Sequence, residues 1–527
     1  MADWYISLTK SLNRPSLYNQ GWKAGDRLLT PDGELVGGGL ALFDFMLSRI
    51  IYRNYIPPAD VELTSSDPNS LQTAIDNANS GDVILVKTNI TYNRITIPAN
   101  KPLFILADPN YNPKIDASNT YGIAFEDQAH DVIISGFEIF NQRGSNTPGA
   151  SDNAGAVCLL SPALVWNIVL KDLYVHDCDE SGIQFQRYQS VLTTPVSEED
   201  LCRNIYVINC DCRNCSRVDN TENGAICFYD ARDIFILANN TEDSLRGIIT
   251  SNVIDVYIQG NVCKNHRYEG IKFDTVSSGQ FPRTKGYIAD NLIINPATQN
   301  YGAGIRGDDF SSTIVVNNTI VGSGKYGILI EDDSDCSLII NNIVINSVSD
   351  GIKTEDSVDR ILVLNNISYN NNPNYNLGSH TPPSITNSEQ DPLLDANYIP
   401  DSKSPAWLYG YKGMPIGCMV RDRSLDKIVN SMIYRNSLFN RDSLKVDYFN
   451  DYQRNGSVEF ANQTSVTVNL RYELPTADYR IILQPHFDTS TTGNPYPSNL
   501  TTKSFDINFP NNATGRVDWF IEYLGLL

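Results

Sequence analysis

From Gly302 to Asn370 one short unit is written three times: GAGIRGDDFSSTIVVNNTIV, then GSGKYGILIEDDSDCSLIINNIVIN, then SVSDGIKTEDSVDRILVLNNISYN. Each copy opens on Gly-Ile, at Gly304, Gly327 and Gly351, spaced 23 and 24 residues apart. An acidic turn, an apolar strand and an Asn-Asn pair follow. The second asparagines, Asn318, Asn342 and Asn366, recur every 24 residues. A repeat this short, rich in β-branched residues and lacking helical periodicity, predicts a β-solenoid. One copy has no means of burying its own apolar face, so copies must stack as parallel strands, roughly 4.8 Å apart. Asparagines in register at an inward turn predict a ladder, each bonding its own backbone and the asparagine of the next copy.

Charge and cysteine usage narrow the partners. The 527 residues carry a formal charge of −21, which argues against a nucleic-acid partner, because phosphate binding needs a basic face. An anionic glycan is also repelled at long range unless a local basic strip offsets the field. The start, MADWYISLTKSLNRPS, reads as no secretory signal, and no apolar run approaches the ~18 residues of a membrane span. The ten cysteines read as buried thiols rather than a disulfide framework. Cys210, Cys212 and Cys215 cluster, but no second pair or histidine follows at ligand spacing. The five histidines, His130, His176, His266, His380 and His486, show no paired spacing and read as structural. No metal site or cofactor is expected, although dense aspartate leaves room for a structural Ca²⁺.

Residues 1–60 match no repeat. PDGELVGGG (31–39) reads as a hairpin, and LALFDFMLSRIIYRN (40–54) as an apolar, helix-compatible segment that must be buried against something. Leu71, Ala74, Ile75 and Ala78 then mark one face of a short helix, with Asp67 or Ser70 at its start and Gly81 at its end. Val83–Val86 and Ile95–Ile97 read as the first strands. This opening resembles that of right-handed parallel β-helix proteins of the pectate-lyase-like type, in which such a helix plugs the end of the solenoid. Further units begin near Gly122, Gly155, Gly182, Gly224, Gly247 and Gly270. TTPVSEEDLCRN (193–204) and SSGQFPRTKG (277–286) are insertions of the kind that build a binding face. The run D-P-L-L-D … S-P-A-W … G resembles that family's closing rung.

Past a charged linker at 421–447, period-two alternation at Val466/Val468/Leu470, Tyr479/Ile481/Leu483, Phe505/Ile507/Phe509 and Val517/Trp519/Ile521/Tyr523 predicts an antiparallel β-sandwich over 448–527. Turn clusters STTGNPYPSN and PNNATG separate these strands. The expected fold is therefore all-β: a small N-terminal anchor (1–60), a right-handed single-stranded parallel β-helix (61–420) and the sandwich. That arrangement resembles bacteriophage tailspikes. The resemblance implies a homotrimer made in the host cytoplasm and carried on the virion. Its N-terminal segment would dock to other tail or baseplate proteins, and its target would be host surface polysaccharide.

Aligning copies on the glycine gives the candidate chemistry. Two residues on come Lys272, Arg306, Leu329 and Lys353; four on come Asp274, Asp308, Glu331 and Glu355; Asp309 sits at the fifth place with Asp332 and Asp356. With isoleucine inward, the second and fourth places face outward. Neighbouring carboxyls one rung apart repel, so one keeps its proton beside an ionised partner, the pairing a glycosidase uses. Elimination from a uronate would instead need Lys272, Arg306 or Lys353 as base or charge clamp. Alternating charge is also the ordinary way to keep an exposed sheet face soluble. Gln184, Gln186, Arg187 and Tyr188, with Tyr229 after Gly224 and Tyr268 before Gly270, form polar-aromatic groups suited to sugar contact. The expected function is glycan binding with possible hydrolysis; a purely binding adhesin and a bacterial polysaccharide lyase stay open. Sedimentation should give about three times the 58.7 kDa chain mass if the trimer forms, and a clean monomer would remove it.

Overall fold

The computed structural model describes residues 57–418, apart from 119, 144–154, 161–162, 188–199, 218–222, 276–283, 298–301, 311–312, 379–385 and 408–415. Beyond these it describes 455–469, 479–487, 496–499, 501 and 504–523. The expected anchor, hairpin and apolar segment of the N-terminus, the linker at 421–447, Tyr188 and His380 lie outside the described residues. The chain divides into two compact units, Met1–Val429 and Asn430–Leu527.

The first unit is a right-handed parallel β-helix with three strand ladders. One ladder is an 11-stranded parallel sheet running from Thr91–Tyr92 to Ile367–Tyr369. The other two merge into a 21-stranded sheet, because Ile226–Leu237 and Ile248–Gln259 each run through both as single 12-residue strands. In order along a rung, the first ladder holds the Gly-Ile strands, such as Ala303–Asp308 and Tyr326–Glu331. The second holds strands such as Ile314–Val316, and the third strands such as Thr319–Val321. Inward isoleucines stack in register, Ile271 on Ile305 on Ile328 on Ile352, and all are fully buried.

The Asn-Asn pair makes the corner between the second and third ladders, and its two members have separate tasks. The first residue takes the left-handed backbone: Asp290 (φ 57°), Asn317 (54°), Asn341 (55°) and Asn365 (52°), a region that Asn and Asp enter more readily than other side chains. The second forms the ladder. Asn318 N donates to Asn342 Oδ1 at 2.9 Å, and Asn342 N to Asn366 Oδ1 at 2.9 Å. Asn342 Nδ2 donates to Val315 O, to Ile340 O and to Asn366 Oδ1 at 2.9–3.0 Å. Asn239, Asn261 and Asn291 extend the ladder one way and Asn387 the other. At the opening glycine the reason is close approach. A Cβ on Gly304 would lie 2.7 Å from Gly327 O and 2.5 Å from Ile320 Cγ2.

Helix Ser70–Asn77 covers the first rungs with Leu71 and Ile75 fully buried. Its start is held by Asp67, whose carboxylate accepts from Asn69 N at 3.0 Å and whose carbonyl accepts from Ser70 Oγ at 2.6 Å. At the far end the structure departs from expectation. Among the described residues, the D-P-L-L-D … S-P-A-W … G stretch contributes no ladder strand. After Asn387–Ser388 continues the stack, the chain turns back across the outside of the third ladder. Ile416 and Ala406 pack on Ile343 and Ile367, Gly417 N donates to Asn341 O, and Cys418 N to Thr319 Oγ1. The outer face of the third ladder is apolar here, so burying it outweighs adding another turn of solenoid.

In the second unit the described residues form a four-stranded antiparallel sheet. Its longest strand, Ser504–Tyr523, runs straight through the PNNATG cluster expected to turn. The facing strand Asn455–Asn469 pairs with both halves and absorbs the mismatch as register shifts near Gln463. Backbone pairing on both sides overrides local turn preference.

Asn342→Ala should lower unfolding free energy by roughly 3 kcal/mol or more, because several buried groups lose partners at once. Asn376→Ala, on an exposed side chain of Tyr375–Leu377, the last strand of the first ladder, should cost under about 0.5 kcal/mol. Urea unfolding of both variants checks this; equal costs would mean that the ladder is not a principal source of stability.

Candidate functional site

The strand register places the aligned residues as two outward columns of the first ladder. Lys272 pairs with Arg306, Arg306 with Leu329, and Leu329 with Lys353; Asp274 pairs with Asp308, and Asp308 with Glu331. Glu355 N bonds Ile330 O and continues the second column. The columns are recessed, with side-chain exposures of 27% for Arg306, 18% for Asp308 and 14% for Glu331.

Arg306 is the hub. It bonds Glu331 through Nε and Nη2, Asp308 Oδ2 at 3.2 Å, and Glu269 Oε1 at 3.5 Å. Glu269 itself is fully buried and also bonded by Arg246 Nε, whose guanidinium lies 4.9 Å from the Tyr268 ring centroid. Burial alone would raise the Glu269 carboxyl. Arg246, then Arg306 and Lys272, outweigh it and hold the group below the usual carboxylate range. Asp308 goes the other way. Burial, then the hydrogen bond that its protonated carboxyl donates to Asp332, push it up to about 7 against the pull of Arg306. Burial raises Glu331 too, with Arg306 opposing and Glu355 and Asp332 adding to the rise. The two flanking cations have nearer partners: Lys272 Nζ sits 2.5 Å from Asp274 Oδ2, and Lys353 Nζ 3.2 Å from Glu355 Oε1.

The fifth-place acids have a backbone reason for their identity. Asp309 (φ 51°) and Asp332 (φ 52°) occupy left-handed corners, as do Asp230 (φ 52°) and Asn252 (φ 56°). The polar-aromatic residues prove to lie in the same two columns, further toward the N-terminal end. Gln184 aligns through Cys227 and Ile249 to Lys272, and Gln186 through Tyr229 and Ser251 to Asp274. That register shows Ala225, not Gly224, in the opening-glycine place, since Ile226 pairs with both Ile183 and Ile248. Phe228 therefore points into the core, while Tyr229 joins Cys227 and Ile249 in a small buried apolar cluster. Gln184 is buried and bonds Gln186 at 3.0 Å, and Arg187 is tied to Asp200.

The glycine-based alignment stopped short of Arg246 and Glu269, one place before the glycine. The signal was present, since Arg, Glu and Tyr (Arg246, Glu269, Tyr326) stand there in three rungs. Asp230 was obscured by the Ala225 slip; burial pushes its carboxyl up to about 6 despite a 2.8 Å bond from Asn252. Cys210, Cys212 and Cys215 are fully buried thiols: burial raises the proton affinity of Cys210 and Cys212, and a hydrogen bond with Cys178, then burial, raises that of Cys215. Asp308, Glu331 and Asp332 bring carboxylate oxygens within 4.8 Å of one another. Arg306 already bonds two of them, so the group is an ion-paired cluster rather than an open cation cage.

Residues 276–457 match the family model described as periplasmic copper-binding protein (NosD). Among the described residues of that stretch the clustered groups are carboxylates, which suit hard cations rather than copper. No curated protein matches the chain. Solved structures similar to it include a lacto-N-biosidase from Eubacterium ramulus, at 14% identity and TM-score 0.45, covering 60% of this chain and 64% of that one. The pre-mature gene product 12 of bacteriophage phi29 is 13% identical with TM-score 0.42, covering 62% and 50%. A rhamnogalacturonan lyase is 12% identical with TM-score 0.40, covering 70% and 97%. The chain thus spans under two thirds of the length of the first two.

The raised Asp308 carboxyl sets a pH signature. A group that binds its proton more tightly folded than unfolded contributes stability that is full below its ordinary value of 3.8 and lost as pH rises toward about 7. The melting temperature of the wild type relative to Asp308→Asn should therefore fall between about pH 4 and 7 and level off above. A difference that stays flat across the series would show that Asp308 titrates as an ordinary carboxyl.

Proposed function

We propose that this protein is a glycan-binding spike of the phage-tail type, homotrimeric, whose first ladder binds host surface polysaccharide and cleaves it by glycoside hydrolysis. The observation that carries the reading is the pairing of Asp308 and Glu331 on adjacent rungs, on an outward recessed strip, with Arg306 bonded to both. Asp308, pushed up to about 7, holds a proton in a substantial fraction of molecules at neutral pH and serves as general acid to the glycosidic oxygen. Glu331, held by Arg306, presents a carboxylate to the anomeric carbon as the bond to the leaving oxygen breaks. Water, deprotonated by Asp308, then releases the sugar and restores both groups. The short oxygen separation favours this retaining course over an inverting one, which needs room for water between the carboxyls.

A binding-only spike is the second reading. It is favoured by the Lys272–Asp274 and Lys353–Glu355 pairs, which are what a solvated sheet face would also show.

Mass spectrometry of bacterial capsular and O-antigen polysaccharides incubated with the protein separates these. Fragments one water heavier per cut are expected, and Asp308→Asn and Glu331→Gln should each lower turnover by roughly 10²-fold or more without changing the fold. Unaltered turnover in both variants would dismiss the pair. Unsaturated fragments would establish elimination, and retention without cleavage would establish the binding spike.

A further inference from the structure

A chain of net charge −21 repels anionic glycans unless a local basic strip offsets the field. Among the described residues, the second-place column of the first ladder carries the cations Lys272, Arg306 and Lys353, and each is bonded within the strip to a carboxylate of its own or the adjoining rung. Arg306 is the most heavily engaged, with Glu269 behind it and Asp308 and Glu331 beside it. At Arg306 a substrate uronate or phosphate would have to displace Asp308 or Glu331 and leave that carboxylate unpaired beside buried Glu269, which costs more than the new contact returns. Independently, Ser251 and Asp274 are neighbours in the fourth-place column. Both are buried, Ser251 at 2% exposure and Asp274 at 8%. Ser251 Oγ and Asp274 Oδ1 have no hydrogen-bond partner. Both atoms are sealed from solvent, so the unpartnered Asp274 Oδ1 adds acceptor charge behind the strip, which opposes an anionic oxygen in front of it.

We propose that the outward strip of the first ladder is selective for uncharged glycan, with Asp308, Glu331 and Glu269 acting as specificity-determining residues that withhold Arg306 from substrate anions. This rests on the reading of the ladder as a glycan site. It makes Arg306 a holder of carboxylates rather than a clamp for substrate, and it makes the site unsuited to elimination from polyuronates, which requires the substrate carboxylate to be neutralised.

Native gels cast with and without polygalacturonate or alginate, at low salt, test this directly. The wild type should migrate equally in all gels. Asp308→Asn/Glu331→Gln should be retarded by at least one polyuronate, with affinity on the order of tenfold higher, and adding Arg306→Gln should abolish the retardation. The single variant Asp308→Asn, with a smaller effect in the same direction, serves if the double variant melts early. Wild type retarded by either polyuronate would overturn the proposal, as would equal free migration of wild type and double variant. Uronate-containing fragments among the products of the polysaccharide digests would also overturn it, while leaving the glycan site standing. Failure of the glycan site itself reads differently: no polysaccharide of any charge would be retained or cut.

Discussion

The corner between the second and third ladders governs the rest of the molecule. A left-handed residue turns the chain, and the asparagine after it locks that turn to the next rung through its backbone N–H and its side chain. Because side chains alternate along a strand, a slip of one residue would exchange core and solvent faces over a whole rung. The buried asparagine ladder prevents that slip by giving every corner a partner at one register only. Its energetic strength comes from burial: Asn291, Asn318, Asn342 and Asn366 are fully enclosed, where an unmade bond is costly.

Register then creates the chemistry. Arg306 meets Glu331 25 residues ahead and Glu269 37 residues behind, contacts that exist only because the rungs stack at a common offset. Three carboxylates share one guanidinium, and they do so unequally. Glu269, enclosed and held by two arginines, lies below the usual carboxylate range, whereas Asp308, buried and bonded to Asp332, is pushed up to about 7. The same arrangement engages each of Lys272, Arg306 and Lys353 with a carboxylate.

Much of the fold was legible where the repeat is uninterrupted. From Gly270 to Glu355 the Gly-Ile spacing placed Lys272, Arg306, Asp274, Asp308 and Glu331 in the columns they occupy. It failed at Gly224 because Ala225 fills the opening place, and a pattern keyed to glycine moves one residue there. It failed in the closing stretch because Ala406 and Ile416, which seal the outside of the third ladder, follow no period. It failed again at PNNATG, where strand pairing on both sides overrides local turn chemistry. The fifth-place aspartates show the converse: a residue type that looks chemical has a backbone reason in the left-handed corner.

The amino-acid order by itself determined the rung length, the corners and which side chains alternate inward, since these follow from local geometry: β-branched alternation, glycine where a Cβ has no room, and Asn or Asp where φ is positive. Only the tertiary structure decided which charges meet. Ion pairing and proton affinity depend on distance and burial across rungs, and no local pattern encodes whether Arg306 turns toward Glu269, Asp308, Glu331 or the solvent. The candidate residues were therefore readable as a column, and their division into a proton holder, ionised partners and a guanidinium hub was not.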